Sequence, residues 1–175
     1  GDETVFDLYC GVGTIGLYCA GNARQVWGIE SVKSAVIDAN RNAVINGLVN
    51  IQFINGKAEE KIFELLEKVN ADDPDSDASA EAANGPDLVI MDPPRAGCHP
   101  ELLSAVMKAA PEKIIYVSCD PGTLARDLKI LTGNGGPAAE NSAGDGASGS
   151  SCEAAYSIER IREVDNFCHS THVET

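Results

Sequence analysis

Short apolar runs alternate with segments of helical period along most of this chain, and that alternation constrains its fold more than any other feature. Val5 to Cys10, Gln25 to Glu30, Ile51 to Ile54, Asp87 to Met91 and Lys113 to Ser118 read as strands. Between and after them, Thr14 to Asn22, Ser31 to Gly47, Glu59 to Val69, Pro100 to Ala110 and Pro121 to Leu131 read as helices. The longest helix opens at Ser31, a candidate cap, and stops at Gly47, where a left-handed residue is expected. The runs DLVIM and KIIYVS are apolar almost throughout, as strands covered on both faces are, and successive β-α units build a parallel sheet. The predicted class is therefore α/β, a doubly wound and mostly parallel sheet. Tyr156 to Val164 reads as a sixth strand. His172 to Thr175 looks like the opening of a seventh, antiparallel and cut short, as in a piece excised from something longer.

A length of 175 residues with 43% hydrophobic side chains supports one core, so one domain is expected over residues 1–175. Two stretches, at about 70–86 and 133–155, are rich in Gly, Ala, Ser, Asp and Asn, show no apolar period, and read as surface insertions. They matter for the charge balance. The net charge of −14, from 27 acidic and 13 basic side chains, would repel a phosphate backbone unless the cations cluster. Yet Asp72, Asp73, Asp75, Asp77, Glu81, Glu140, Asp145 and Glu153 all lie in those stretches, leaving about −6 on the rest. No run approaches the roughly 20 apolar residues of a membrane span, and no secretory leader is visible. The six cysteines form no C-x-x-C pair and no spacing typical of metal ligands, so free thiols in a reducing cytoplasm, and no metal, are expected.

Chemistry concentrates at the strand ends. The first strand runs into Asp7-Leu8-Tyr9-Cys10-Gly11-Val12-Gly13-Thr14-Ile15-Gly16, a glycine-rich turn where the backbone can approach a ligand. Glu30, nineteen positions after Gly11 at the end of the second strand, can accept hydrogen bonds from ribose hydroxyls. Those features alone leave a dinucleotide-dependent oxidoreductase open. The fourth strand ends in Asp92-Pro93-Pro94-Arg95, whose prolines hold the Asp92 carboxylate toward the crevice where open α/β sheets bind ligands, a feature a dehydrogenase does not need. The fifth ends in Ser118-Cys119-Asp120-Pro121, with a thiol at the opening of a helix, whose amino end favours the nucleophilic thiolate. Cys10, Cys19 and Trp27 read as packing residues, His99 and His169 as exposed loop residues, and Cys98, Cys152 and Cys168 receive no role.

Taken together, DLYCGVGTIGL, DPPRAG, YVSCDPGTLARDL and VDNFCHSTHVET resemble the catalytic domain of the RNA uracil-5 methyltransferase family. The resemblance covers nearly the whole chain outside the two insertions. It implies a Rossmann-like methyltransferase sheet, S-adenosylmethionine as methyl donor, and C5 of a uridine in RNA as target, with a monomer acting in the cytoplasm. By position, Cys119 is similar to the family's nucleophile and Glu174 to its general base. Tyr9 and Glu30, together with the turn glycines Gly11 and Gly13, correspond to cofactor contacts, and Asp92 to a cofactor or base contact. CDPGTLARDL and HVET are worded more like the ribosomal large-subunit branch than the transfer-RNA branch. Where the family usually has F-P-x-T before H-x-E, this chain has Phe167-Cys168-His169-Ser170-Thr171. The small β-barrel and further upstream domain that help the family grip RNA are not in this sequence.

The implied reaction accounts for those residue types. Uracil C5 is a poor nucleophile until a thiolate adds to C6, after which C5 behaves as an enolate carbon and accepts the methyl group. A base then removes the C5 proton and the thiol leaves. Glu174 suits that task if its surroundings raise its pKa, with His172 as the competing candidate.

Overall fold

The computed structural model describes residues 1–71, 85–134 and 156–164. Its elements alternate as β1 Thr4–Leu8, α1 Thr14–Ala20, β2 Gln25–Glu30, α2 Lys33–Ile45, β3 Ile51–Asn55, α3 Ala58–Ala71, β4 Leu88–Met91, α4 Pro100–Ala109, β5 Lys113–Tyr116 and α5 Pro121–Leu131. The chain divides into two compact units, residues 1–93 with 99–117, and residues 94–98 with 118 onward.

The first unit holds a five-stranded sheet in the order β3-β2-β1-β4-β5, parallel throughout. β1 pairs with β2 on one side and β4 on the other, Leu8 standing opposite Ile29 and Met91. The carboxyl ends of these three strands thus share one edge at the point where the strand order reverses, the place where doubly wound sheets bind ligands. Side chains alternate across the sheet. Val5, Val26, Ile51, Phe53 and Ile90 pack with Ala20 of α1 and Val36, Ala39 and Ala43 of α2. Phe6, Leu8, Trp27 and Ile29 point the other way, where Lys68 of α3 lies over the Trp27 ring and α3 packs on α4.

Several element ends differ from expectation for local reasons. β1 stops at Leu8, not Cys10, because Tyr9 turns left-handed at φ 65°. α2 begins at Lys33 and Ser31 does not cap it: the Ser31 hydroxyl donates to Glu30 Oε1, and that same oxygen accepts the Val32 N–H. Gly47 does follow α2 with φ 67°, the stop that the sequence predicts. His99 is more than an exposed loop residue, since its Nδ1 accepts the Glu101 N–H at the start of α4. β5 is not buried on both faces. Lys113 and Ile115 are exposed, and β5 is the last strand of the sheet among the described residues. A four-residue apolar run cannot distinguish an edge strand from a central one.

In the second unit α5 is followed, past residues 135–155, by Tyr156–Val164, which is irregular apart from a single bridge at Val164. Its apolar residues Ile158, Ile161 and Val164 fall three apart and are all exposed, whereas one face of a strand takes residues two apart. The expected sixth strand is therefore absent there. The expected seventh strand, and nearly all of both insertions, lie outside the described residues.

Candidate active site

The turn after β1 is built from left-handed backbone. Tyr9, Gly11 and Gly13 have φ of 65°, 55° and 83°, and the Gly13 N–H donates to Cys10 O at 2.8 Å before α1 begins. The three glycines answer different demands. Gly11 has open space where a side chain would stand, so only its φ requires glycine. At Gly13 a Cβ would run into the Phe53 ring, and at Gly16 it would meet Asp7 Oδ2 at 2.9 Å, so the third glycine is what lets α1 approach β1.

Glu30, half-buried at the end of β2, faces this turn. Its Oε2 accepts the Gly11 N–H at 3.1 Å, while Oε1 accepts the Val32 N–H at 2.7 Å. Its own carbonyl is held by Asn55 Nδ2 at 3.0 Å and the Gly56 N–H at 3.0 Å. A carboxylate has about four lone-pair positions, so these bonds fix its place and leave acceptor capacity for a ligand hydroxyl. Asp92, one residue beyond β4, donates its N–H to Leu8 O at 3.3 Å and so stands beside the end of β1.

Asp7 is the residue that sequence reasoning missed. It lies within β1, fully buried, where Oδ2 accepts the Gly16 N–H at 2.8 Å and Oδ1 has no hydrogen-bond partner. Burial raises its carboxyl to about 6, against the lowering effect of the Gly16 bond and with a further push from the charge of Asp92. The available signal was a single charged residue inside an otherwise apolar central strand, Val5-Phe6-Asp7-Leu8. Burial, with the charges of Asp7 and Glu30, also pushes the Cys10 thiol up, which keeps it protonated and unsuited to nucleophilic attack.

Cys119 belongs to the second unit. It is half-buried in a short bridge: the Ser118 hydroxyl accepts the Asp120 N–H at 3.1 Å and donates to Asp120 O at 3.0 Å, closing a ring around residue 119. Asp120 then caps α5, its Oδ1 accepting the Thr123 N–H at 2.9 Å with Pro121 in the first turn. That bond, with the Gly122 N–H and the charge of Arg95, holds the Asp120 carboxyl below the usual range. From its sequence the α5 opening is expected to face Cys119; in the structure the Asp120 carboxylate takes the Thr123 N–H instead, because a short acidic side chain is the better cap. Tyr9, Gly11, Gly13, Glu30 and Asp92 therefore meet at one sheet edge, joined by Asp7, whereas Glu174 and His172 lie outside the described residues. Among the described residues no three His, Cys, Asp or Glu side chains are grouped to hold a metal ion.

Comparison with known proteins follows the same outline. The profile of the family described as tRNA (uracil-5-)-methyltransferase matches residues 1–135. An uncharacterized RNA methyltransferase of Clostridium acetobutylicum is 40% identical over all of this chain, and one of Clostridium tetani 42%; the chain spans 31% of each. Among solved structures, the Pyrococcus abyssi tRNA (uracil-54, C5)-methyltransferase in complex with S-adenosyl-L-homocysteine superposes with a TM-score of 0.68 at 32% identity. That match covers 99% of this chain and 33% of that one. The chain thus corresponds to about a third of its relatives' length, and its residues 1–135, which the family profile matches, include the glycine turn, the D-P-P turn and the cysteine-bearing bridge. On the profile match over most of its residues, this chain is a member of the tRNA (uracil-5-)-methyltransferase family.

Proposed function

We propose that this chain is the catalytic portion of an RNA (uracil-5-)-methyltransferase dependent on S-adenosylmethionine. The observation that carries the reading is the sheet edge at which Glu30 is pinned to a left-handed glycine turn while the buried Asp7 carboxylate beneath keeps one oxygen unpartnered. A ligand with ribose hydroxyls and cationic groups fits that arrangement: Glu30 accepts from the ribose, the open side of Gly11 lets the ligand approach the backbone, and the acidic surroundings favour positive charge. The co-complexed P. abyssi neighbour supports the same cofactor.

S-adenosylmethionine supplies an electrophilic methyl group. Cys119 adds as thiolate to uracil C6, which converts C5 into a nucleophilic carbon; after C5 is methylated, Glu174 accepts the C5 proton and the thiol is expelled. Tyr9 and Asp92 contribute contacts to cofactor or base. Ribosomal RNA is the substrate favoured by the wording of CDPGTLARDL and HVET. The alternative, transfer RNA, is favoured by the name of the P. abyssi neighbour. We further assign a monomer in the reducing cytoplasm, in keeping with free thiols at Cys10, Cys19, Cys98 and Cys119. No helix among the described residues is long and apolar enough to cross a membrane.

Incubating the full protein with ribosomal and transfer RNA containing 5-fluorouridine tests the reading, because fluorine at C5 blocks the last proton removal and traps the adduct. A stable protein–RNA adduct mapped to one uridine supports it and names the RNA. Turnover without any adduct overturns the covalent mechanism.

A further inference from the structure

The loop Pro94–Cys98 is fastened to α5 along its whole length. Thr123 Oγ1 donates to Arg95 O at 3.1 Å, Arg126 Nη2 donates to Ala96 O at 2.9 Å and to Cys98 O at 3.3 Å, and the Cys98 N–H donates to Asp127 Oδ2 at 2.8 Å. Asp127 is fully buried, and its other oxygen takes Arg126 Nε at 2.8 Å, so the guanidinium that reaches the loop is itself held in place. Gly97 completes the fit. With φ 76° it needs glycine, and a Cβ there would strike the Arg126 guanidinium and lie 2.7 Å from Asp127 Oδ2. The same helix carries, just before its first turn, the Ser118–Asp120 ring that encloses Cys119.

From this we infer that Arg126 and Asp127 are positioning residues for the covalent step: they set the Pro94–Cys98 loop, including Arg95, in fixed register with the α5 opening that presents Cys119. The inference rests on the role proposed above for Cys119. Its physical basis is the guanidinium fork, which satisfies two loop carbonyls and a buried carboxylate at once, where an ammonium is a single point charge. Reaction rates are steep in such alignment, a shift of about 1 Å costing on the order of a hundredfold.

Arg126→Lys separates positioning from folding, because it keeps the positive charge beside buried Asp127 and gives up the fork. In the full protein we expect this variant to melt close to wild type and to keep its affinity for S-adenosylhomocysteine and its KM for RNA. Its kcat, and its rate of adduct formation with 5-fluorouridine RNA, should both fall by about a hundredfold. Thr123→Val removes the Oγ1 bonds to Arg95 O and to Asp120 at the opening of α5 and should slow the adduct about fivefold, with Thr123→Ser, which keeps the hydroxyl, restoring the rate. Should Arg126→Lys fold poorly, the Thr123 pair decides: a Val variant as fast as wild type, or a Ser variant as slow as Val, overturns the inference. Wild-type adduct formation by a folded Arg126→Lys protein overturns it while leaving the role of Cys119 intact. A wild-type protein that forms no adduct overturns both.

Discussion

At the scale of single residues, Asp7 places a buried charge at the candidate cofactor site at a cost in stability. Its carboxyl, at about 6 when folded against 3.8 ordinarily, binds a proton more tightly in the folded chain than in the unfolded one. The associated stability is fully present below the ordinary value and is lost as pH rises through about 6, a loss of about 3 kcal/mol for a shift of this size. Asp7→Asn keeps an acceptor for the Gly16 N–H and removes the buried charge. We expect the variant to match wild type near pH 4 and to exceed it near pH 7.5 by as much as about 3 kcal/mol in urea denaturation, while binding S-adenosylhomocysteine more weakly. A stability difference that is the same at both pH values would show that the charge is not the cause. Glu30 makes the complementary case. Glu30→Gln should weaken cofactor binding by about 1.5 to 3 kcal/mol in calorimetric titration, the worth of a charge-assisted acceptor. Unchanged affinity would remove Glu30 from the site.

At the scale of elements, the glycine turn rests on β2 and β3. Phe53 stands opposite Gly28 in the β2–β3 ladder, and its ring covers Gly28 and extends beneath Gly13, so one aromatic side chain fills the space left by two glycines on different elements. Gly28→Ala would drive a methyl into that ring and within 3.0 Å of Cys10 Sγ. Overpacking of this kind costs about 1 to 3 kcal/mol. The expected result is a lowered urea midpoint accompanied by weaker S-adenosylhomocysteine binding, since the ring can move only by disturbing Gly13; a midpoint shift with unchanged binding would separate the two. This dependence was not legible in the sequence, where Gly28 is merely a glycine inside a strand. The five strands and five helices up to Leu131 were legible, because each carries its own period and stop signal, whereas Tyr156–Val164 reads as a strand and is not one. What escaped were features set by pairs of distant residues: Ser31 yielding its cap to Glu30, Asp120 standing between Cys119 and the helix end, and Arg126 reaching back to the loop at Ala96.

At the scale of the whole molecule, the chain divides its chemistry between two units, with the cofactor candidates on the sheet edge and the nucleophile candidate beside α5. The four sequence motifs single out both groups as candidates by residue type, and the candidate base, Glu174, rests on its motif alone. The chain corresponds to 31% of its Clostridium acetobutylicum relative and carries a net charge of −14, which opposes binding of a polyanion, so its chemistry is best read in the full protein. There the order of bond changes gives a test that affinity measurements cannot. Cys119→Ala should abolish both methyl transfer and any covalent RNA adduct, because C5 is not activated until C6 is attacked. Glu174→Gln should permit addition and methylation but stall before elimination, so a methylated protein–RNA adduct accumulates with ordinary uridine as substrate. The variants should therefore differ in kind on a denaturing gel with labelled RNA. An adduct formed by Cys119→Ala, or an equal loss of adduct and turnover in both variants, would reject the roles assigned to them.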